Sequence, residues 1–322
     1  MKRPTIVAMT ASLALVATAA SATAQTPIDP VIPDDVTVST VDVSGKTAAD
    51  ATAALLAFFD QPLKLRLGGK TLSVPPGQLG ASARISKAVD AALAAPAGSE
   101  LTLEVVIGPR LTKWLSKRAK IFRRSPVPTK AVLVGLRPKL TKARPGRALV
   151  RKVARARIVA ALRAHVRNPV ALPARTLKAG VTPRNFGPAI VIRRGSHRLV
   201  LYRAHGAGRM RASTVFPVAV GMPAYPTPLG SFTIVSKQRN PWWYPPNEPW
   251  AAGASPIPPG PGNPLGTRWM GLSRPGVGIH GTYNSGSVGT SASHGCIRMH
   301  ITSAEWLFER VRIGTPVWIV SS

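Results

Sequence analysis

The sequence is short of several residue types, and each shortage narrows what the protein can be. Cys296 is the only cysteine, so no disulfide can form within the chain. Beyond the N-terminal segment, no uninterrupted apolar run is as long as a membrane-spanning helix, and the remainder is expected to be soluble. At 322 residues, the chain still has room for two domains, each with its own core.

Acidic residues are also scarce. No Asp or Glu occurs between Glu104 and Glu248, whereas Lys and Arg recur throughout, and the formal net charge is +31. Such a field attracts polyanions, and in a cytosolic protein the expected partner would be nucleic acid. For an exported protein we expect no nucleic acid but the anionic polymers of a cell wall, with association at the membrane surface as a further option. A solvated basic surface without any partner is the alternative.

The N-terminus has the pattern of an export signal. Lys2 and Arg3 precede an apolar, Ala-rich stretch, and Ala22-Thr23-Ala24 matches the small-x-small cleavage pattern. We therefore expect a signal peptide at residues 1–24 and an exported protein of the cell wall, with an uncleaved membrane anchor as the alternative. The Pro-rich residues 25–37 are interpreted as a linker.

Helix- and strand-forming patterns divide the rest of the chain into two parts. Residues 38–185 mix strand-like and helical stretches, and a helix is predicted over Val153–Val166. Residues 188–321 consist mostly of alternating, β-branched stretches. We therefore expect one or two α+β modules followed by a mostly β domain.

Two helix starts are predicted from capping boxes. Thr47 with Asp50 opens the first helix of the α+β part, and Thr302 with Glu305 opens the one clear helix of the β part.

The lone thiol lies in the stretch SHGCIRMH, with His294 two residues before it and His280 further upstream. Attack on an amide carbonyl requires a thiolate, and a free cysteine with a pKa of ~8.5 is mostly protonated at neutral pH. A neighbouring imidazole can accept the proton, form an ion pair and later return the proton to the departing amine. If the segment is extended, His294 and Cys296 point to the same side, and His280 can reach the thiol from an adjacent strand or loop. The spacing leaves open which imidazole accepts the proton.

Glycines flank these groups. Gly295 leaves the backbone bare beside the sulfur, so the amides of Gly295 and Cys296 can point at a developing oxyanion. Gly281, directly after His280, allows a backbone carbonyl to approach the imidazole and fix its tautomer. The pattern therefore favours a nucleophilic site that needs neither metal nor cofactor.

Two other interpretations use the same residues. Four side chains could bind zinc, although the chain lacks the second close-spaced ligand pair of structural zinc sites: His280, His294, Cys296 and His300. The thiol could also be a small buried group of the core.

Four motifs in order, PTPLGSFTI, GNPLGTRWMGL, IHGT and SHGCIRM, resemble the L,D-transpeptidase family with its YkuD-like catalytic domain, over about residues 189–320. The resemblance implies a β-sandwich-like fold with the active site under a mobile flap. It implies a nucleophile, a base and a basic substrate-binding position. The predicted site residues are Cys296, His280 and His294 for catalysis, Gly295, Ser293 and Gly281 for support of the site and the oxyanion, and Arg298, Trp242, Trp243 and Tyr283 for substrate binding.

The stretches VSGKTAADATAAL and PPGQLG, within residues 38–185, resemble a peptidoglycan-binding module found upstream of such domains and in VanW-like proteins. A plain spacer is the alternative for this part of the chain.

The resemblance implies peptidoglycan cross-linking. Cys296 would attack the carbonyl of the third residue in a tetrapeptide stem, release the terminal D-alanine and pass the acyl group to an amine of a neighbouring stem. Carbapenem-type β-lactams would acylate the same thiol. An L,D-carboxypeptidase, a transferase that attaches a protein to the wall and a non-catalytic wall-binding protein remain alternatives, because the sequence does not identify the acceptor.

Residues 240–264 form a long stretch with three Trp and one Tyr between prolines. Loops of this length are uncommon in compact domains and are often functional. We expect this loop to cover a bound stem peptide and exclude water. An aromatic patch that packs the loop onto the sheet is the alternative.

Overall fold

The computed structural model describes residues 29–206 and 208–322. The predicted signal peptide and the first residues of the linker lie outside the described residues. Among the residues described, no helix combines the length and the apolar character that crossing a membrane requires. The described chain forms two compact units. One holds the residues up to Leu65 with Thr71–Thr112 and Arg157–Val170, and the other holds Arg66–Lys70, Lys113–Ala156 and Ala171–Ser322.

The described residues form short strands and a few helices. The helices are α1 (Ala48–Phe59), α2 (Ile85–Leu93), α3 (Arg110–Phe122), α4 (Arg151–Arg163) and α5 (Ile301–Phe308). The strands are β1 (Thr37–Val38), β2 (Val41–Asp42), β3 (Leu63–Leu67), β4 (Lys70–Val74), β5 (Ala81–Ala83), β6 (Glu100–Leu101), β7 (Val105–Ile107), β8 (Ala131–Val134), β9 (Arg137–Leu140), β10 (Gly146–Leu149), β11 (Val170–Ala171), β12 (Ala174–Leu177), β13 (Ala189–Arg193), β14 (Arg198–His205), β15 (Arg209–Pro217), β16 (Val220–Gly221), β17 (Gly230–Arg239), β18 (Arg268–Leu272), β19 (Gly278–Thr282), β20 (Ser291–Ser293), β21 (Ile297–His300) and β22 (Pro316–Val320).

The first predicted helix start is confirmed. Thr47 is the N-cap of α1, and its hydroxyl oxygen accepts the Asp50 N–H at 3.2 Å. The hydroxyl in turn donates to the Asp50 carboxylate at 2.8 Å. This cap satisfies one of the free amides of the first turn, and α1 buries Leu55 and Phe59.

The helix predicted over Val153–Val166 is present as α4, but it ends earlier, at Arg163. His165 adopts a left-handed φ of 51°, its N–H donates to Leu162 O, and the Val166 N–H donates to Ala161 O. These two bonds form a Schellman motif with a histidine in the position that glycine usually takes. The motif terminates the helix before the apolar pattern ends.

Sequence patterns did not predict α3. Its buried positions Leu111, Leu115 and Phe122 are four and seven residues apart, which is a helical spacing. Lys and Arg fill much of the remaining surface of the helix, and this basic stretch concealed the apolar periodicity.

The second unit is built on a ten-stranded sheet in the order β21-β19-β18-β17-β22-β13-β14-β15-β9-β8. Its main core lies between one face of this sheet and α5, where Ile279, Ile297 and Leu307 are fully buried. The predicted fold class, a mostly β catalytic domain C-terminal to an α+β part, is confirmed. The hairpin β8–β9 joins the same sheet through the pair Lys139–Arg209, although it lies within the stretch assigned to the upstream modules. The domain boundary at 185–188 stays a prediction.

The second predicted capping box is wrong. The N-cap of α5 is His300, whose side chain makes no capping hydrogen bond, and Thr302 lies inside the helix. Glu305 instead accepts the Thr267 hydroxyl at 2.8 Å and lies 3.7 Å from the Arg268 guanidinium. The Glu305 carboxylate, which the local pattern assigned to the cap, is thus engaged by Thr267 and Arg268 instead.

Candidate active site

Strand register places four side chains in one row across the sheet. Gln238 on β17 pairs with Trp269 on β18, Trp269 pairs with His280 on β19, and His280 pairs with Arg298 on β21. Directly paired residues point to the same side of a sheet. All four line a cavity of about 300 Å³, and Cys296 lies in the same cavity just before β21.

Most of the predicted site residues meet in this cavity. Those that line it are Cys296, His280, His294, Ser293, Arg298, Trp242 and Trp243. Three predicted residues do not line it: Gly281 and Gly295, which are buried beside it, and Tyr283, which is 44% exposed.

The segment that carries the thiol is bent, so the predicted extended geometry is wrong. Gly295 adopts a φ of 108°, a left-handed value that strongly favours glycine. The bend still brings His294 and Cys296 into the cavity together. Position 295 therefore needs glycine for its backbone conformation.

Ser293 secures this bend. Its hydroxyl donates to Cys296 O at 2.6 Å and accepts the Gly295 N–H at 3.2 Å. The predicted direction of the Gly295 amide, toward an oxyanion in the cavity, is therefore wrong, since that amide has an internal acceptor. Ser293 is 1% exposed, so these bonds lie in a place that water does not reach.

His280 is held in one tautomer. Its Nδ1 lies 2.7 Å from Gly281 O, and a carbonyl only accepts, so Nδ1 carries the proton and Nε2 is left as the basic nitrogen. Gly281 itself packs on Ile301 and Ala304 of α5, where a Cβ would be crowded. The predicted role of a backbone carbonyl next to this histidine is thus seen in the structure.

The ionisation of His280 is strongly shifted. The side chain is 3% exposed, and burial lowers the pKa of its imidazole to about 4. The Gly281 hydrogen bond opposes the shift, and the charge of Arg298 adds to it. His280 is therefore a neutral imidazole at pH 7.

The thiol is shifted in the opposite sense. Burial raises the pKa of Cys296 above its ordinary value, while a backbone hydrogen bond from Gly278 and the charge of Arg298 partly offset that effect. The sulfur donates to Gly276 O at 3.3 Å. Both shifts favour the neutral pair, so the predicted resting ion pair between thiolate and imidazolium is not favoured in this cavity.

His294 is stacked between two aromatic rings. Trp250 lies 4.1 Å from it with an interplanar angle of 9°, and Tyr225 lies 5.1 Å away and tilted by 59°. Burial, followed by the charge of Arg298, lowers the pKa of His294. Trp250 belongs to the long aromatic loop, so this stack joins the loop to the segment that carries the thiol.

Arg298 contributes a cation to the cavity. Within the described part of the chain its guanidinium forms no ion pair or side-chain hydrogen bond, and burial lowers its pKa. A partly buried cation without a protein counter-charge favours an anionic ligand, and a guanidinium binds carboxylates with two parallel hydrogen bonds.

Asn263 fastens the aromatic loop. Its side-chain amide lies 2.8, 3.2 and 3.1 Å from the carbonyl oxygens of Pro241, Ile257 and Pro258, and its Oδ1 accepts the Leu265 N–H at 2.8 Å. The residue is 1% exposed. One buried side chain thus ties the start, the middle and the end of the loop together.

We expect Asn263→Ala to loosen the loop over Cys296. Loss of a buried hydrogen-bonding group costs about 1–3 kcal/mol, which corresponds to an open population larger by roughly 5- to 150-fold. The rate at which iodoacetamide alkylates Cys296 at fixed pH should rise accordingly. Asn247→Ala, at an exposed position of the same loop, is the matched control and should leave that rate unchanged. Equal rates in the two variants would show that the loop does not shield the thiol.

The zinc arrangement considered from the sequence is not assembled. In residues 29–206 and 208–322, no group of three or more His, Cys, Asp or Glu side chains is placed to hold a metal ion.

Several residues of the cavity were not among the predicted site residues, and Gln238, Trp250 and Trp269 are the ones that contact or extend the row of site side chains. The Trp269 indole crosses positions 271 and 278, where a Cβ would collide with it, so the two glycines leave room for the ring. The alternation Trp-x-Gly on β18 and Gly-x-His on β19 was a usable signal for this face. Trp250 was not singled out as a site residue, although it is one of the three Trp of the loop that was expected to cover the site.

Comparison with known proteins identifies a family for the part of the chain that contains this cavity. The profile of the YkuD family, described as the L,D-transpeptidase catalytic domain, matches residues 187–319. YqjB of Bacillus subtilis, which carries the L,D-transpeptidase family name, is 33% identical over 145 residues, or 44% of this chain and 75% of that protein. YkuD of the same organism, which carries the same family name, is 38% identical over 109 residues, or 34% of this chain and 54% of that protein.

Among solved structures, an L,D-transpeptidase from Mycobacterium smegmatis is 20% identical with a TM-score of 0.35, over 46% of this chain and 62% of that one. The match to the family covers the part of the chain that builds the cavity. On the strength of the match to YqjB, this chain belongs to the L,D-transpeptidase family.

Proposed function

We propose that the protein forms 3→3 cross-links between peptidoglycan stem peptides through an acyl-enzyme on Cys296. The observation that carries the proposal is one cavity holding a thiol, a neutral imidazole with a fixed tautomer and an unpaired guanidinium. A nucleophile, a base and an anion-binding group are what acyl transfer between carboxylate-bearing peptides requires.

Because the Cys296 thiol and the His280 imidazole are both neutral before substrate binds, the proton leaves the thiol as the sulfur attacks the carbonyl carbon. Nε2 of His280 accepts the thiol proton as the sulfur bonds to the carbonyl carbon of the third stem residue. Collapse of the tetrahedral intermediate breaks the C–N bond, and the imidazolium gives its proton to the departing D-alanine amine. The product of this half-reaction is a thioester, with His280 neutral again.

The second half-reaction runs the same groups in reverse. A side-chain amine of a neighbouring stem attacks the thioester, His280 takes a proton from that amine, and Cys296 leaves and recovers the proton as a thiol. We assign Arg298 to a carboxylate of the stem peptide, because it is the cation of the cavity without an internal partner in the described residues.

The aromatic loop favours an amine over water as the acceptor. Trp242, Trp243 and Trp250 line the cavity from the loop, and a water-poor cavity protects a thioester from hydrolysis. An L,D-carboxypeptidase would use the same residues with water as acceptor and is the second candidate. A transferase with a protein acceptor would also use them.

Cell-wall chemistry implies an extracytoplasmic location, and the signal-like residues 1–24 support export. We retain two further proposals from the sequence: that residues 38–185 contain a peptidoglycan-binding, VanW-like part, and that the net charge of +31 favours anionic wall polymers.

Mass spectrometry of the products tests the proposed function. The protein is incubated with a purified tetrapeptide stem, and we expect a cross-linked dimer with release of D-alanine. Tripeptide without dimer would establish the carboxypeptidase instead. If neither dimer nor tripeptide forms, both the transpeptidase and the carboxypeptidase are refuted. Trp250→Ala should shift the products from dimer toward tripeptide if the loop excludes water.

A further inference from the structure

The edge of the ten-stranded sheet far from Cys296 carries cations on one face. β14, β15 and β9 are consecutive strands there. Lys139 is paired with Arg209, and Arg211 is paired with Arg203. Arg137 precedes Lys139 by two residues on β9, so it points to the same side. These five side chains are called the cationic face: Arg137, Lys139, Arg203, Arg209 and Arg211.

The cationic face has no internal counter-charge. All five residues are exposed, and within the described chain none of them forms an ion pair or a side-chain hydrogen bond. No Asp or Glu occurs in the sequence from 105 to 247, which includes all three strands. Like charges directly opposite each other on neighbouring strands destabilise a sheet. A bound polyanion would remove this repulsion.

The geometry of the face suits a linear polymer with regularly spaced anions. Side chains on one face of a strand repeat every ~6.6 Å, and neighbouring strands are ~4.8 Å apart, so the cations form a regular grid. Four of the five are arginines, whose planar guanidinium binds phosphate through two hydrogen bonds. A guanidinium binds carboxylates in the same way, so the preference for phosphate rests on how the anions are carried: those of a phosphate chain belong to its backbone, whereas the carboxylates of an acidic polypeptide lie on side chains whose ordering costs entropy.

A lipid surface fits the face less well. Beside it, on the edge strand β8, the exposed apolar residues are Val132 and Val134. Binding in the interface of a bilayer typically uses Trp, Phe or Leu on an amphipathic helix, and the five residues of the cationic face lie on a sheet and include none of these.

We propose that the cationic face binds a linear, phosphate-bearing polyanion. The binding is separate from the chemistry of the cavity, because the face lies at the other end of the sheet. It goes beyond the proposed function, since it requires neither Cys296 nor a stem peptide. Its consequence is that the ten-stranded sheet that carries the cavity, with strands from both sides of residues 185–188, also holds the protein on an anionic polymer.

The test compares two variants of the full chain that lose the same formal charge. In the face variant, Arg137, Lys139, Arg203, Arg209 and Arg211 are all replaced by Gln. In the control variant, four other exposed arginines and one exposed lysine are replaced by Gln: Arg123, Arg124, Arg144, Lys152 and Arg155. The probe is long-chain inorganic polyphosphate, and binding is measured over a series of salt concentrations.

The face variant should bind polyphosphate at least about tenfold more weakly, and the slope of log K against log salt should fall by about one for each phosphate group that the variant no longer binds. The control variant should bind nearly as the wild type does, because at physiological salt the Debye length of about 8 Å screens more distant charges. Equal weakening in both variants would overturn the proposal and show that net charge alone attracts the polymer.

Two further arms keep the result specific. Replacing only the four arginines of the face by Lys keeps the charge but removes the paired hydrogen bonds, and it should weaken binding less than the Gln set does. Polyglutamate of matched charge should bind more weakly than polyphosphate, and equal binding would overturn the preference for phosphate. Vesicles of anionic lipid that bind through the face, without polyphosphate binding, would overturn the choice of ligand.

Cys296→Ser should bind polyphosphate as the wild type does. If the face variant binds weakly while it still forms stem-peptide dimer, the cationic face is a separate site. Polymer binding that persists in a protein without transpeptidase activity would count against the proposed function alone.

Discussion

Cys296→Ser is expected to reduce formation of the cross-linked dimer by at least about 10³-fold. A hydroxyl is far harder to deprotonate than a thiol, and the neutral His280 is too weak a base to make up the difference. The substitution changes one atom in a segment fixed by Ser293 and Gly295, so the fold should persist. Product formation by mass spectrometry and the thermal unfolding midpoint measure the two outcomes.

Covalent labelling checks the same assignment independently. A carbapenem should add its mass to the tryptic peptide that contains Cys296 in the wild type and leave the serine variant unmodified. An adduct on another residue, or a serine variant that retains more than a few per cent of activity, would refute the nucleophile.

His280→Ala is expected to slow acylation by about 10²–10⁴-fold, the range for a positioned acid–base group. With a pKa of about 4, the imidazole of the wild type is already neutral in mildly acidic solution. Single-turnover acylation in the wild type should therefore fall off near pH 4 rather than near pH 6.5. The acylation rate of His294→Ala is measured for comparison. A larger loss of rate in His294→Ala than in His280→Ala would identify His294 as the base.

Stability against pH tests the buried state of His280 without any substrate. In the unfolded chain its pKa is the ordinary 6.5, and in the folded chain it is about 4, so unfolding takes up a proton between these values. The free energy of unfolding should accordingly fall by about 3 kcal/mol from this residue as the pH drops from 6.5 to 4. In His280→Gln the free energy of unfolding should not show this contribution of about 3 kcal/mol as the pH drops. Identical profiles would contradict the depressed pKa.

The residues of the active site were more predictable than their geometry. Cys296 and His280 were predicted as site residues because their motifs are local and their chemistry is distinctive, and Arg298 was predicted through the family resemblance. Gln238 and Trp269 were missed because they join the row only through strand register, and register depends on pairing between segments far apart in the chain.

At some positions tertiary contacts, and not local sequence preferences, determine the conformation. The loop conformation that stacks Trp250 on His294 depends on the buried amide of Asn263, which bonds to backbone groups on both sides of it in the chain. Glu305 accepts a hydrogen bond from the Thr267 hydroxyl instead of taking part in the predicted cap of α5. The predicted start of α1 is confirmed because Thr47 and Asp50 form hydrogen bonds with each other within one turn, and no such local bonds form at the predicted start of α5.

The raised pKa of Cys296 has a consequence for oxidation. Sulfenic acid forms from the thiolate, and outside the cytoplasm no glutathione pool restores a thiol once it is oxidised. A sulfur kept protonated and bonded to Gly276 O presents little thiolate to peroxide. In the exported protein that we propose, the neutral state of Cys296 and His280 would therefore also protect the chain's only thiol from oxidation.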